Sequence, residues 1–417
     1  MTSQKFNPFK PGSIVNQGMF VGRLEEIKAI ERCLFQSKNG NPQHFLVQGE
    51  RGIGKSSLLF YVDRLANGAP FTRDKFNFLT VSIDIGGCHT QLDIIRKIGR
   101  GLKSAIAARQ GMKETAKGFW DWLTNWEILG VKYNKATASD FDAEEIAEEL
   151  VAALDRFCLQ MADSLDGVAF LIDEADRPGS DAGLGELLKL ISERLTRQGC
   201  NRVVFGVAGL PTVMVRLRES HESSPRLFHT MLLEPLTLEE RKRVVSIGIN
   251  EANERNGVRT EITLDALELL AELSEGYPNF VQQFAYCAFE QDTDNEISDD
   301  DVASGAFNEG GAISQLGDKY FNEMYHARIA SEDYRRVLDA MADYGDGWVS
   351  RKTIIAESGI SETNVTNALQ TLKAKGIILP DDTRRGFYKL PTNSFAAWIN
   401  AIRTSRAKAD ATSEGAL

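Results

Sequence analysis

Gly49, Glu50, Arg51, Gly52, Ile53, Gly54, Lys55 and Ser56 fit the pattern G-x-x-x-x-G-K-S/T at every fixed position. Glycines let a backbone curl until several N–H groups point at one polyphosphate. A helix that follows adds the positive end of its dipole. Lys55 is spaced to reach the β- and γ-phosphates, and the Ser56 hydroxyl to hold Mg2+, with Ser57 in the first helical turn. An apolar run, Phe45-Leu46-Val47, precedes the loop and Leu58-Leu59-Phe60-Tyr61-Val62 follows it. That is the strand–loop–helix setting the motif requires, and it predicts a site for a nucleoside triphosphate.

A second cluster suits the same chemistry. Val168-Ala169-Phe170-Leu171-Ile172 is an apolar strand that ends in Asp173-Glu174. In an open α/β sheet, the carboxyl ends of the strands are where ligands sit. Asp173 is expected to hold the magnesium through water, and Glu174 to orient and deprotonate an attacking water.

These residues need elements to position them. Apolar runs at 44–48, 77–84, 168–173 and 203–208 alternate with helical stretches, which predicts a parallel sheet covered by helices. Residues 91–165 read as mostly helical. They include Phe119, Trp120, Trp122, Trp126 and Tyr133, either a hairpin packing its own aromatics or a surface insertion that meets a partner. From Glu234 the pattern changes. Thr237 with Glu240 makes a capping box, and helical periodicity continues through 265–275 and 279–291 without strand runs. The acidic stretch Asp292 to Asp301 reads as a solvated turn and a helix start. Beyond it come a helix at 332–343, a strand at 348–350 and a helix at 351–357. A helix capped by Ser361 and two short strands flanking Asp381-Asp382-Thr383-Arg384-Arg385 complete the order of a winged helix-turn-helix. The predicted domains are 1–235, an α/β core; 236–328, a helical lid; 329–403, the winged helix; and 404–417, a disordered tail.

Composition bounds the remaining classes. The 417 residues exceed one compact core. The 48 basic and 59 acidic residues leave a net charge of −11, which argues against a chain that wraps nucleic acid over its whole surface. Cys33, Cys88, Cys158, Cys200 and Cys287 lie far apart, as in a reduced intracellular protein without a disulfide frame or zinc site. The start of the chain leads into no apolar segment, and no run approaches a membrane span. A cytoplasmic protein with no membrane contact is expected.

With the two clusters stands a third motif, Phe20-Val21-Gly22-Arg23-Leu24-Glu25-Glu26. In this order the three resemble the AAA+ ATPases, in the neighbourhood of the origin-recognition and initiator-type proteins and the STAND signalling ATPases. The resemblance covers residues 15–400. It implies a P-loop AAA+ core with a helical lid and a winged helix, and a box, Val21-Gly22-Arg23, that lines an adenine pocket, hence ATP. Ser224-Pro225-Arg226-Leu227-Phe228 resembles the segment carrying the arginine finger of initiator-type proteins, with Arg216 and Arg218 as rivals to Arg226. Gly276-Tyr277-Pro278 resembles the G-x-P motif of STAND ATPases, which implies that Tyr277 and Pro278 contact nucleotide between core and lid.

Two departures from that family stand out. Ala208 and Gly209 occupy the strand end where AAA+ enzymes place a polar sensor, and the helix after Pro278 has no second-sensor arginine. Both favour a slow ATPase used as a switch. Glu362, Thr363, Asn364, Asn367, Gln370 and Thr371 are the candidate base-reading residues of the winged helix, with Lys373, Lys375, Arg384 and Arg385 for phosphates. Against this, the domain carries nearly as many acidic as basic side chains. The expected function is an ATP-dependent switch that forms homo-oligomers and acts on double-stranded DNA. The rival is a signalling scaffold, as in phage defence, whose ATP state controls a protein partner without DNA.

Overall fold

The computed structural model describes residues 5–11, 20–69, 74–124, 143–327, 329, 331–381 and 383–414. The chain forms two compact units, residues 14–234 and residues 1–13 with 235–417.

In the first unit α1 (Leu24–Lys38), β1 (His44–Gln48), α2 (Lys55–Ala66), β2 (Phe78–Asp84), α3 (Gln91–Ala108), α4 (Ala143–Gln160) and β3 (Gly167–Asp173) are followed by α5 (Leu184–Gln198), β4 (Val203–Gly209), α6 (Val213–Ser220) and β5 (Phe228–Leu232). The five strands form one sheet in the order β2-β3-β4-β1-β5, parallel throughout. All seven residues of β4 and six of seven in β3 are buried, as runs covered by helices on both faces must be. Phe170 and Phe205 stack across the β3–β4 pair, 5.4 Å between centroids. β5 was not recognised in the sequence. It is the edge strand, and exposed His229, Thr230 and Leu232 break the apolar run that marked the others. His44 is a polar exception inside the sheet. Its Nδ1 accepts from Phe205 N (3.2 Å), so Nε2 carries the proton toward Ser192 Oγ at 2.8 Å. Burial pushes this imidazole down to about 4.

The aromatic patch packs within its own unit. Phe119 lies 4.6 Å from Phe157 and stacks on Trp122, while Lys113 sits over Trp120. Trp126 and Tyr133 lie outside the described residues.

The second unit holds α7 (Leu238–Arg255), β6 (Glu261–Ile262), α8 (Leu264–Leu273), α9 (Pro278–Gln291), β7 (Glu296–Ile297) and α10 (Asp299–Phe307). Thr237 and Glu240 form the expected capping box of α7. The two-residue strands β6 and β7 pair in parallel where no strand was expected, being too short to leave a pattern.

Residues 5–11 pack here and not with the core, to which chain order alone had assigned them. Phe9 is buried against α7 and Phe289, and the Asn256 side chain grips both backbone groups of Phe6. Lys5 pairs at 2.9 Å with Asp292, whose carboxylate is fully buried and not solvated as its acidic neighbours suggested.

The unit continues through α11 (Glu332–Ala342), β8 (Val349–Ser350), α12 (Arg351–Ser358), α13 (Glu362–Ala374), β9 (Leu379–Pro380) and β10 (Phe387–Lys389). Strands β8, β10 and β9 form an antiparallel sheet in that order, and with the helices α11, α12 and α13 they follow the chain order expected from the sequence. Val365, Ala368, Leu369 and Leu372 form the buried face of α13. A last helix, α14 (Asn393–Glu414), runs on where a disordered tail from 404 was expected; its alanines favour helix. No helix among the described residues is long and apolar enough to cross a membrane.

Candidate nucleotide site

The phosphate loop leaves β1 at Gly49, whose N–H donates to Gly209 O at the end of β4 (3.3 Å). Ile53 is buried beneath the loop, and Glu50 and Arg51 are exposed on it. Gly52 and Gly54 take φ of 82° and 103°, conformations that other residues adopt only at a cost. Gly54 caps α2 without any side-chain hydrogen bond, so the first amides of that helix are left to face an anion. Lys55 Nζ donates to Gly49 O (2.8 Å) and Glu50 O (2.9 Å), which holds the ammonium over the loop. Burial lowers its pKa, against the opposing charges of Asp176, Asp173 and Glu50.

Ser56 Oγ donates to Asp173 Oδ2 at 2.5 Å, so the two residues expected to serve magnesium meet at one point. Hydroxyl and carboxylate oxygens at a phosphate loop are the donors this hard cation takes. Asp173 Oδ1 accepts from Glu174 N at 2.8 Å. Glu174 itself sits in the left-handed region (φ 55°), a strained conformation for this residue type. Its Oε2 pairs with Arg177 Nε at 3.2 Å. Burial, then the charge of Asp84, pushes its carboxyl above the ordinary range. Gly86 leaves the space for this carboxylate, since a Cβ there would lie 2.2 Å from Glu174 Oε2.

The Phe20–Arg23 box lies against the loop. Arg23 Nη2 donates to Ile53 O at 3.1 Å and its Nη1 lies 3.6 Å from Glu26. Phe20 stacks on Tyr61 of α2 with centroids 5.3 Å apart, and Gly22 and Arg23 both have positive φ. Val21 is half-buried between them, as is Ser57 on the helix.

Four residues of the site were missed. Asp84 is in register with Asp173 across the β2–β3 pair. It carried the signal that marked Asp173, an apolar strand ending in a carboxylate. Asp176 accepts from Leu210 N (2.8 Å) just beyond the strand end where a polar sensor was sought. Arg177 and Gly86 carried no local signal.

Arg226 is exposed on the short turn Ser224–Leu227, which Ser224 Oγ pins to Leu217 O at 2.7 Å. Among the described residues its guanidinium has no hydrogen-bond or ion-pair partner, whereas Arg216 lies 3.8 Å from Glu219. Tyr277 and Pro278 belong to the second unit, where Tyr277 caps α9 and Pro278 opens it.

On α13 and the β9–β10 turn, several of the residues expected to read DNA are engaged within the chain. Asn364 donates to Asp333 (2.7 Å), Glu362 pairs with Arg351 (2.8 Å) and Arg384 with Asp381 (2.6 Å). Thr363, Asn367, Gln370, Lys373 and Arg385 are exposed without such partners among the described residues. Asp382 lies outside those residues.

Sheet order, phosphate loop and acidic strand end together define a P-loop ATPase core of the AAA+ type. Residues 19–205 match the family model of the AAA ATPase domain, and the first unit carries such a domain. Among solved structures, the Walker-type ATPase of Pyrococcus abyssi is 19% identical with a TM-score of 0.54, over 91% of this chain and 96% of that one. The ORC2 protein of Aeropyrum pernix, solved as ADPNP–ADP complexes, is 16% identical with a TM-score of 0.57, over 96% and 99%. Its ADP form gives 16% and 0.53, over 96% and 97%. These likenesses extend the shared fold over nearly the whole chain. No curated protein sequence matches.

Proposed function

We propose that this protein is an ATP-controlled switch that binds ATP with Mg2+ in the first unit, hydrolyses it slowly and self-associates. Acting through its winged helix on double-stranded DNA is part of the same reading. The observation that carries it is the meeting of Ser56 and Asp173 beside Lys55 and the uncapped start of α2. Residues Gly49 to Ser57 would cradle the phosphates, with Lys55 at the β- and γ-phosphates and Ser56 and Asp173 at the metal. Magnesium in that position neutralises the charge that develops on the phosphoryl oxygens. Val21, Gly22 and Arg23 would serve the adenosine side, and Tyr277 and Pro278 would answer to the same nucleotide.

Slow turnover has a physical reason around the base. Arg177 pairs with the Glu174 carboxylate, so it stabilises the charged form and competes with an attacking water for it. Ala208 and Gly209 bring no sensor hydroxyl, and α9 contains no arginine. Arg226 is exposed on a turn held by Ser224 and has no guanidinium partner among the described residues, which suits a finger offered to a neighbouring subunit. Asn367 and Gln370 suit base edges, and Lys373 and Arg385 suit phosphates. The five cysteines, all free and buried, fit a cytoplasmic protein.

A second reading, a scaffold for a protein partner, is favoured by the engaged Asn364, Glu362 and Arg384 and by the near-neutral charge of the winged helix. Titration of duplex DNA with a slowly hydrolysed ATP analogue separates the two. DNA contact predicts binding that requires the analogue and weakens steeply with salt. No binding at low salt would overturn the DNA reading and leave the scaffold.

A further inference from the structure

The chain crosses left-handed space twice between α8 and α9, at Glu275 (φ 53°) and Gly276 (φ 87°). Glycine suits that conformation, and here it also admits Pro235, which a Cβ would meet at 2.6 Å. Glutamate does not suit it, so its side chain must give the reason for its place. The Glu275 carboxylate accepts the backbone N–H groups of Asn393 and Ser394, each at 2.7 Å, and the Ser394 hydroxyl at 2.6 Å. Those are the first two amides of α14, and Thr392 Oγ1 accepts the third, from Phe395, at 3.1 Å. A helix start leaves such amides without intrahelical partners. Here a carboxylate from a distant turn completes the cap.

The same turn faces two further pieces of the unit. On one side, Leu236 N donates to Gly276 O at 2.8 Å. Arg241 then ties Leu236 O to Ala271 O at the end of α8, both at 2.9 Å. Residues 235 and 236 are the chain's entry from the phosphate-loop unit. On the other side, α14 runs along the winged helix. Asn393 Oδ1 accepts from Asp346 N (3.0 Å), Asn400 donates to Ala342 O (3.1 Å), and Arg403 pairs with Asp343. Phe395 and Trp398 of α14 meanwhile pack on Phe321, at 5.1 and 5.9 Å. The entry segment and the start of α14 therefore meet on one turn, which leads into Tyr277-Pro278: Gly276 O holds the entry segment, and the Glu275 carboxylate holds the helix that bears on the winged helix.

We propose that Glu275 is the coupling residue of the switch: displacement of the 274–278 turn is passed through its carboxylate to the start of α14, and from there to residues 343–348 of the winged helix. The proposal rests on the reading of Tyr277 and Pro278 as the nucleotide-responsive residues of this unit. It assigns Glu275 a positioning role and no chemistry.

Hydrogen exchange of the full chain, with and without a slowly hydrolysed ATP analogue and Mg2+, tests it. In the wild type the analogue should alter exchange across 275–281, 392–396 and 343–349. In Glu275→Gln, which keeps the size but turns an amide donor toward helix N–H groups, the change at 275–281 should persist and the other two should vanish. Thr392→Ala controls for a plain capping role. It removes the third cap bond of the same helix without touching the turn, so it should lower the melting temperature yet keep all three changes. Persistence of the 343–349 response in Glu275→Gln, or its equal loss in Thr392→Ala, overturns the coupling. An analogue that binds but leaves 275–281 unchanged in the wild type sinks the nucleotide reading of the turn as well.

Discussion

Replacing Gly86 by alanine perturbs the proposed base without touching any group assigned to nucleotide. The added Cβ would lie 2.2 Å from Glu174 Oε2, 3.0 Å from Arg177 Cδ and 3.2 Å from Asp84 Oδ1. Ordinary contact between heavy atoms is about 3.5–4.0 Å, so the Glu174 carboxylate must retreat by at least about 1 Å. It is the far end of a flexible side chain, and Gly86 is not among the positive-φ glycines, so the backbone accommodates alanine. Stability should therefore stay within about 0.5 kcal/mol of wild type. Misplacing a reacting group by about 1 Å costs roughly 100-fold in rate, equivalent to about 2.7 kcal/mol of barrier. Gly87 is the matched control, because a Cβ there meets nothing within 4 Å. Phosphate release at saturating ATP, a fluorescent-nucleotide titration and a thermal melt give the three readouts. Gly86→Ala should lose about 100-fold in kcat with unchanged nucleotide affinity and melting, while Gly87→Ala behaves as wild type. Equal turnover in the two variants would refute the placement of Glu174 as the base.

Lys55→Ala should abolish ATP binding measured by calorimetry, since two loop carbonyls hold its ammonium over the loop; unchanged affinity would refute the site. Arg226→Ala should leave nucleotide affinity intact and cut turnover of the assembled protein by about 10³-fold, the lower range for an arginine finger; equal turnover at concentrations where the protein assembles removes the finger role. His44 predicts a defined acid sensitivity. The unfolded chain takes up its proton as pH falls through about 6.5, whereas the folded imidazole resists until about 4. Folding stability should fall by about 3 kcal/mol across that window, the product of the shift and 1.36 kcal/mol per unit. Urea melts at pH 7 and pH 4.5 should show a smaller difference in His44→Gln, and an identical difference would exclude His44 as its source.

The residues legible in the sequence share one property: each motif is contiguous, and the element that carries it is marked by a local pattern. Gly49 to Ser56 are flanked by an apolar strand and a helix, and Asp173-Glu174 close an apolar run, so neither needed a tertiary contact to be found. Asp84 had the same local mark. Its relevance came only from the parallel register that sets it beside Asp173, and register between strands separated by a long crossover is not written in either strand. Gly86 and Arg177 matter through where Glu174 Oε2 lies, and Glu275 matters through a helix start 118 residues away. β5 failed to show because an edge strand keeps polar residues that the central strands exclude. This division follows function. Groups that bind phosphate work as a contiguous backbone cradle, so their chemistry forces a local motif. Groups that set the strength of the base act across space on one carboxylate, through burial, a like charge and an ion pair. If Glu174 is the base, binding is the legible half of this site and rate is the half that only folding assembles.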